Sequence, residues 1–278
     1  MLSRPQKMSY DCSGREYMIW KIVPLSKGQL MDVRPEDILA DGLFRKCSTY
    51  RGGGGYDQFP KICEKRLGKS YSEQFLVQLF GCNLDCPYCY VTRAGVWGTP
   101  VEKTTAELID AFVESQQQTF HLMGGAPALQ IDQWSELIQA LKMRCPAAVF
   151  HSDIMLTERP YKKSWLAEIK DVGKNTLFAV DVKGLDAEEH LRNTRKPFLE
   201  KLFWENLAKI EEARLNFYFT FTNVKPDNID KFWEKSDRLF GRSFLSRQLS
   251  DAFSIDLIEY DALPYVDEVP WGAQNANR

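Results

Sequence analysis

The chain has 278 residues, 44% hydrophobic and 13% aromatic, with a formal net charge of −2, enough for one large α/β domain or two small ones with ample core. That balance excludes a disordered chain and argues against a broad nucleic-acid footprint, so nucleic-acid binding is not expected. Residues 1–8 lack the apolar core of a secretion signal and no stretch reads as a membrane span, so a cytoplasmic protein with no membrane partner is expected.

The first 73 residues read as an N-terminal extension. They hold the run Arg51-Gly52-Gly53-Gly54-Gly55-Tyr56-Asp57, expected to be a loop across the mouth of the fold. A phosphate loop is disfavoured, because no Gly-Lys-Ser/Thr follows and no clear strand precedes. From about residue 74 short apolar runs alternate with amphipathic segments, the mark of repeated β–α units.

The first strand is expected near Phe75–Phe80. Directly after it comes Gly81-Cys82-Asn83-Leu84-Asp85-Cys86-Pro87-Tyr88-Cys89-Tyr90, which offers three thiolates from one short loop at C-x3-C-x2-C spacing. A fully protein-ligated cubane iron–sulfur cluster needs four. With three, one iron stays open to a small molecule. Zinc could use Cys86 and Cys89 as half a site, but its second pair would have to come from scattered residues. A disulfide finds no support in the expected compartment. Of the remaining cysteines, Cys145 is expected to pack as a small hydrophobe. Cys12, Cys47 and Cys63 form no recognisable cluster-binding set; their spacing leaves open a second metal in three dimensions, and one cluster is expected.

Further along, a helix is expected over residues 104–117 with Ala106, Leu108, Ile109, Phe112 and Val113 inward. A strand over 119–123 ends in Gly124-Gly125-Ala126-Pro127. A helix near 131–143 and a strand over 148–153 follow, the latter ending His151-Ser152-Asp153. Polar groups at a strand end suit a ligand site or a turn cap. Next come a helix over 161–171 and a strand over 177–182, where Asp181 and Lys183, two apart, project from one face. Such a charged pair at the end of an apolar strand needs partners, and a simple internal salt bridge is the plain alternative to a ligand role. A helix over 198–213, a strand over 216–224 carrying Tyr218, Thr220 and Thr222 on one face, a helix over 227–240 and a last strand over 255–260 complete the repeat. Residues 263–278 read as an irregular tail. Periodicity leaves open whether the parallel sheet forms a barrel or a doubly wound sheet.

The cysteine spacing, with aromatic Tyr88 just before the third cysteine, resembles the radical S-adenosylmethionine (radical SAM) superfamily. The resemblance implies a partial (β/α)6 TIM-like barrel over residues 74–262. It also implies a 4Fe–4S cluster on Cys82, Cys86 and Cys89 and SAM on the fourth iron. One electron would cleave SAM to methionine and a 5′-deoxyadenosyl radical that takes hydrogen from the substrate, with a donor such as flavodoxin or ferredoxin supplying the electron. Gly124-Gly125-Ala126-Pro127 resembles the family's Gly-Gly-Glu-Pro motif, with Ala126 replacing the glutamate. By the resemblance, Tyr88, Gly124, Gly125, Ser152, Asp153, Asp181 and Lys183 would surround SAM. Asp181-Val182-Lys183 is also similar to the Asp-Leu-Lys strand of glycyl-radical-enzyme activases, a likeness extending weakly through His190, Asn193-Thr194 and 255–260. The substrate, whether small molecule, peptide or protein, is not legible. A cluster-binding sensor or interaction protein without catalysis is the alternative function, supported by Ala126.

Overall fold

The computed structural model describes residues 9–10, 16–23, 44–48, 58–69, 71, 73–89, 91 and 93–255. The glycine run, Cys12, Tyr90 and the C-terminal tail lie outside them.

Six strands form the parallel core: β5 (Glu73–Gln78), β7 (Thr119–Met123), β8 (Val149–Ile154), β9 (Thr176–Val182), β10 (Phe217–Thr222) and β11 (Phe253–Ile255). They stand in the order in which the chain makes them. This order decides the question that periodicity left open. A doubly wound sheet reverses direction at a switch point, whereas here every crossover steps the same way, so the helices collect on one face and the other face turns inward. The result is a partial (β/α)6 barrel, with no pair joining its two edges among the described residues.

The alternation along each strand carries out this division. Phe75, Val77, Phe120, Leu122, Phe150, Phe178, Val180, Phe217, Phe219 and Phe221 face the helices, in one continuous apolar cluster with Leu108, Phe112, Leu137, Leu141, Leu166, Leu207 and Phe232. Those helices are α3 (Thr105–Ser115), α4 (Trp134–Arg144), α5 (Lys163–Val172), α7 (Glu200–Glu212) and α8 (Pro226–Phe240). Full burial of each such side chain contributes about 1.5–3 kcal/mol. The opposite face carries Gln78, His121, His151, Asp153, Asp181, Tyr218, Thr220 and Thr222, polar groups turned toward the barrel axis.

Several elements differ from their sequence expectation. In α3, Ala106 and Val113 face outward, while Thr105 and Ser115 take buried places. A capping box of Thr104 and Glu107 starts this helix and fixes its rotation. A 3-10 turn (Pro127–Gln133) precedes α4. The last strand begins at Phe253 rather than 255, and residues 256–260 lie outside the described part. The short helices α6 (Ala187–Thr194) and α9 (Arg242–Leu249) had no sequence expectation.

Some described residues before 73 join the core, among them Trp20, Ile22 and Phe44. The strand β4 (Arg45–Ser48) pairs antiparallel with β5, and β3 (Ile19–Ile22) pairs antiparallel with β6 (Val101–Thr104). Two-residue strands β1 (Ser9–Tyr10) and β2 (Glu16–Tyr17) pair with each other, and α2 (Arg93–Trp97) follows the cysteine loop. The helix α1 (Gln58–Leu67) drives Phe59, Ile62 and Cys63 against Val149, Leu177, Ala179 and Tyr218, near the amino ends of β8, β9 and β10. It plugs the base of the barrel.

Candidate functional site

At the carboxyl ends of the strands, where parallel β–α folds gather ligands, a solvent-open cavity of about 730 Å³ is lined by Cys82, Cys86, Tyr88, Cys89, Gly124, Gly125, Asp153, Met155, Asp181 and Lys183, among others.

The cysteine loop leaves β5 at Leu79 and is tied down on three sides. Asp85 N–H donates to Thr194 O (3.0 Å) at the end of α6, and Asn83 Nδ2 donates to Thr157 O (3.2 Å) after β8. Ala126 N–H donates to Gly81 O (2.8 Å). Burial raises all three thiols above their ordinary range, Cys82 to about 12, while the Lys183 ammonium opposes the shift. As free thiols they are neutral. Iron or another cation would be needed to hold them as thiolates. A single zinc needs its sulfurs about 3.8 Å apart. Among the described residues the three thiols do not gather to within 4.8 Å of one another. The donor set therefore fits a cluster, whose irons spread their ligands, better than a mononuclear site.

Gly124 and Gly125 hold left-handed backbone at φ +68° and +57°. A Cβ on Gly125 would stand 2.1 Å from Gly81 O and 2.7 Å from Leu79 O; one on Gly124 would meet the Gln78 side chain at 2.4 Å. Only glycine lets this turn lie under the cysteine loop. Ala126 is buried with Leu84, Cys86, Tyr88 and Met155; a glutamate there would bring a carboxylate into an apolar patch.

Across the cavity, Lys183 Nζ donates to Asp181 Oδ2 at 2.5 Å, and Thr222 Oγ1 donates to Asp181 Oδ1 at 2.7 Å. Burial alone would lower the Lys183 pKa, but Asp181 and the neighbouring acidic groups hold it well above the ordinary range. Lys183 also lies 5.6 Å over the Tyr88 ring. The salt bridge expected as the plain alternative thus forms, and it forms in the cavity wall beside the cysteines.

Of the two candidate ligands on β8, Ser152 and Asp153, only Asp153 lines the cavity. Ser152 falls on the helix-facing side by strand alternation, is fully buried, and donates to Leu122 O at 3.2 Å. It is withdrawn from the candidate ligands. Asp153 lies against His121 (Nε2–Oδ2 3.6 Å) rather than capping a turn. Burial would raise its pKa, but His121 and His151 hold it below the ordinary range.

One layer deeper, His151 contacts His121 ring to ring (centroids 4.2 Å), and its Nε2 lies 3.1 Å from Tyr218 Oη. Burial pushes His151 well below its ordinary pKa, so it is neutral. Sequence reasoning named Tyr218 and the His151-Ser152-Asp153 run, but not the meeting of His151 with His121. Gln78, another buried polar side chain of the first strand, donates from Nε2 to Gly95 O. Cys63 lies in the base plug, raised by burial to about 11, and Cys145 packs beside the main core as expected. Neither approaches the cavity.

The sequence matches the model of the radical SAM superfamily over residues 77–239, more than half of the chain. The chain belongs to the radical SAM superfamily. This family uses a 4Fe–4S cluster and S-adenosylmethionine. Solved structures similar in fold include native anSMEcpe with bound AdoMet and a Cp18Cys peptide (TM-score 0.44, 15% identity, 66% of this chain and 50% of that one). QueE from Escherichia coli follows at 0.41 (10% identity, 79% and 77%), and methylornithine synthase (PylB) at 0.45 (12%, 74% and 59%). The chain spans half the length of the first of these. No curated protein matches the sequence significantly. No helix among the described residues is long and apolar enough to cross a membrane.

Proposed function

We propose that this chain is a radical SAM enzyme whose cluster is held by Cys82, Cys86 and Cys89, and whose SAM lies between the Gly124–Gly125 turn and the Asp181–Lys183 pair. One observation carries the reading: a single cavity brings the three cysteines of one loop together with that turn and that pair, from three different strand ends.

When bound, the reduced cluster and SAM supply the radical that removes hydrogen from an unreactive carbon. The chain's own residues position and shield. The Gly124–Gly125 turn exposes backbone close enough to meet an amino group. Asp181 offers a carboxylate fixed by Thr222 and Lys183, suited to ribose hydroxyls, and the Lys183 ammonium suits a carboxylate. Tyr88, Leu84 and Met155 form the apolar wall that keeps water from the thiolates. The Asp181-Val182-Lys183 strand supports handling of SAM in the manner of activases. An electron donor of the flavodoxin or ferredoxin kind would serve such an enzyme, and residues 74–262 would form its catalytic unit.

The test is anaerobic reconstitution with iron and sulfide, addition of SAM and a strong reductant, and measurement of 5′-deoxyadenosine. Production is expected in the native chain and none in Cys82→Ala/Cys86→Ala/Cys89→Ala. An intact cluster that neither binds nor cleaves SAM would overturn the enzyme reading and favour the sensor, with Ala126 as the reason.

A further inference from the structure

The chain has three histidines. Two of them, His121 and His151, are direct register partners on adjacent parallel strands, both turned toward the barrel axis. Asp153, two residues along on the same face of β8, completes a group in which one donor atom from each residue lies within 4.8 Å of the other two. Neither His121 nor His151 plays any part in holding the cluster or SAM in the function proposed above.

The hydrogen bonding here is incomplete in a specific way. His121 is 8% exposed and His151 3%. Nδ1 of each ring has no hydrogen-bond partner, and Nε2 of His121 has only Asp153 at 3.6 Å. A buried polar atom left unmatched is costly, so three buried ring nitrogens without hydrogen-bond partners suit a bound cation. The remaining nitrogen, Nε2 of His151, is held by the Tyr218 hydroxyl at 3.1 Å. Ligating histidines are typically oriented in this way, one nitrogen fixed by an outer hydrogen bond and the other free for the metal.

We propose that His121, His151 and Asp153 bind a divalent first-row transition metal ion at the floor of the cavity, with an open coordination position on the cavity side. Two imidazoles and one carboxylate are a donor set for zinc, iron(II), manganese or cobalt. Neighbouring donors around zinc stand about 3.4 Å apart, so the three side chains need to close by no more than about 1.4 Å per pair. Three protein ligands leave a position open, the arrangement of reactive rather than structural sites. Asp153 is the ligand that reaches the cavity, so the open position takes water or an oxygen or nitrogen donor of a molecule in the cavity. That last step, unlike the metal site itself, rests on the cavity being the cluster and SAM site proposed above.

The experiment titrates the cluster-loaded protein anaerobically with zinc alone and reads uptake by competition with a chromogenic chelator. One zinc per chain is expected in the native protein and none in His121→Gln or His151→Phe, with cluster absorbance unchanged. Tyr218→Phe should bind about 10–100-fold more weakly, as loss of an outer hydrogen bond to a ligand does. The triple cysteine variant should still take one zinc, which separates this site from the cluster reading. If either histidine variant fails to fold, Asp153→Asn, altered at the partly exposed cavity edge, should weaken zinc binding at least about tenfold. No uptake by the native protein, or uptake unchanged in His121→Gln, His151→Phe or Asp153→Asn, overturns the proposal.

Discussion

The two ends of the barrel are made by the same strands, yet they are chemically opposite. At the amino ends α1 closes the axis with Phe59, Ile62 and Cys63 against Val149, Leu177 and Ala179. At the carboxyl ends the axis opens onto cysteines, an Asp–Lys pair and a left-handed glycine turn. The closed end is stabilised by burial. The open end accepts buried charge, which is costly unless paired, and a backbone turn that only glycine adopts freely. Between the two ends lies the histidine layer, in contact with both: His151 packs against Phe59 (centroids 4.5 Å), and Asp153 borders the cavity. The difference teaches where to look for function in this chain and where only for stability.

Substitutions can break that comparison. The largest effect belongs to Cys82→Ala/Cys86→Ala/Cys89→Ala, which should abolish cluster incorporation while leaving the thermal transition of the iron-free protein nearly unchanged; iron and sulfide analysis beside a melt checks both. At the closed end the pattern reverses. Phe59→Ala should destabilise by about 3–5 kcal/mol, read by denaturant unfolding, with the cluster spectrum of the folded fraction unaltered.

Gly125→Ala attacks the open end through backbone alone. Its Cβ meets carbonyl oxygens that cannot swing away, so this variant should lose several degrees in melting temperature. Gly124→Ala, whose conflict is with the Gln78 side chain rather than with backbone carbonyls, should lose less. The charged pair is a target of comparable size. Asp181→Asn leaves the Lys183 ammonium without its partner and should cost about 3 kcal/mol. The double variant Asp181→Asn/Lys183→Met should recover part of that stability and still bind SAM poorly, as calorimetry would show.

The smallest effect concerns the clamp that holds α1 in place. Asp251 accepts from Lys65 Nζ and from Arg66 Nε, each at 2.5 Å. Burial would raise its carboxyl pKa, but the two cations hold it below the ordinary range. A depressed folded pKa contributes stability above the unfolded value of about 3.9 and loses it as pH falls through the folded value. Melting temperature measured from pH 6 down to pH 2 should therefore fall more steeply in the native chain than in Asp251→Asn.

The open end was largely legible in the sequence because its signals are local. Cys82, Cys86 and Cys89 share one loop, Gly124 and Gly125 are adjacent, and Asp181 and Lys183 are two apart on one strand. The closed end was not, because α1 owes its place to long-range packing and follows a glycine run that carries no periodic pattern. Ser152 was misplaced for want of a register: at a strand end, alternation decides which of two neighbouring polar residues faces the axis. The histidine layer was hidden for the same reason. His121 and His151 are thirty positions apart and meet only because β7 and β8 pair in the register that sets them side by side. The one available hint was that each follows a phenylalanine near the middle of consecutive strands.

The central claim is that three protein thiolates leave one iron of the cluster open to SAM in this cavity. The most direct test is the electron paramagnetic resonance spectrum of the reduced, reconstituted protein recorded with and without SAM. The account predicts a cluster signal that changes on addition of SAM, because the ligand binds iron directly. A cluster signal identical in the two samples, at SAM concentrations far above those that radical SAM enzymes need, would contradict it.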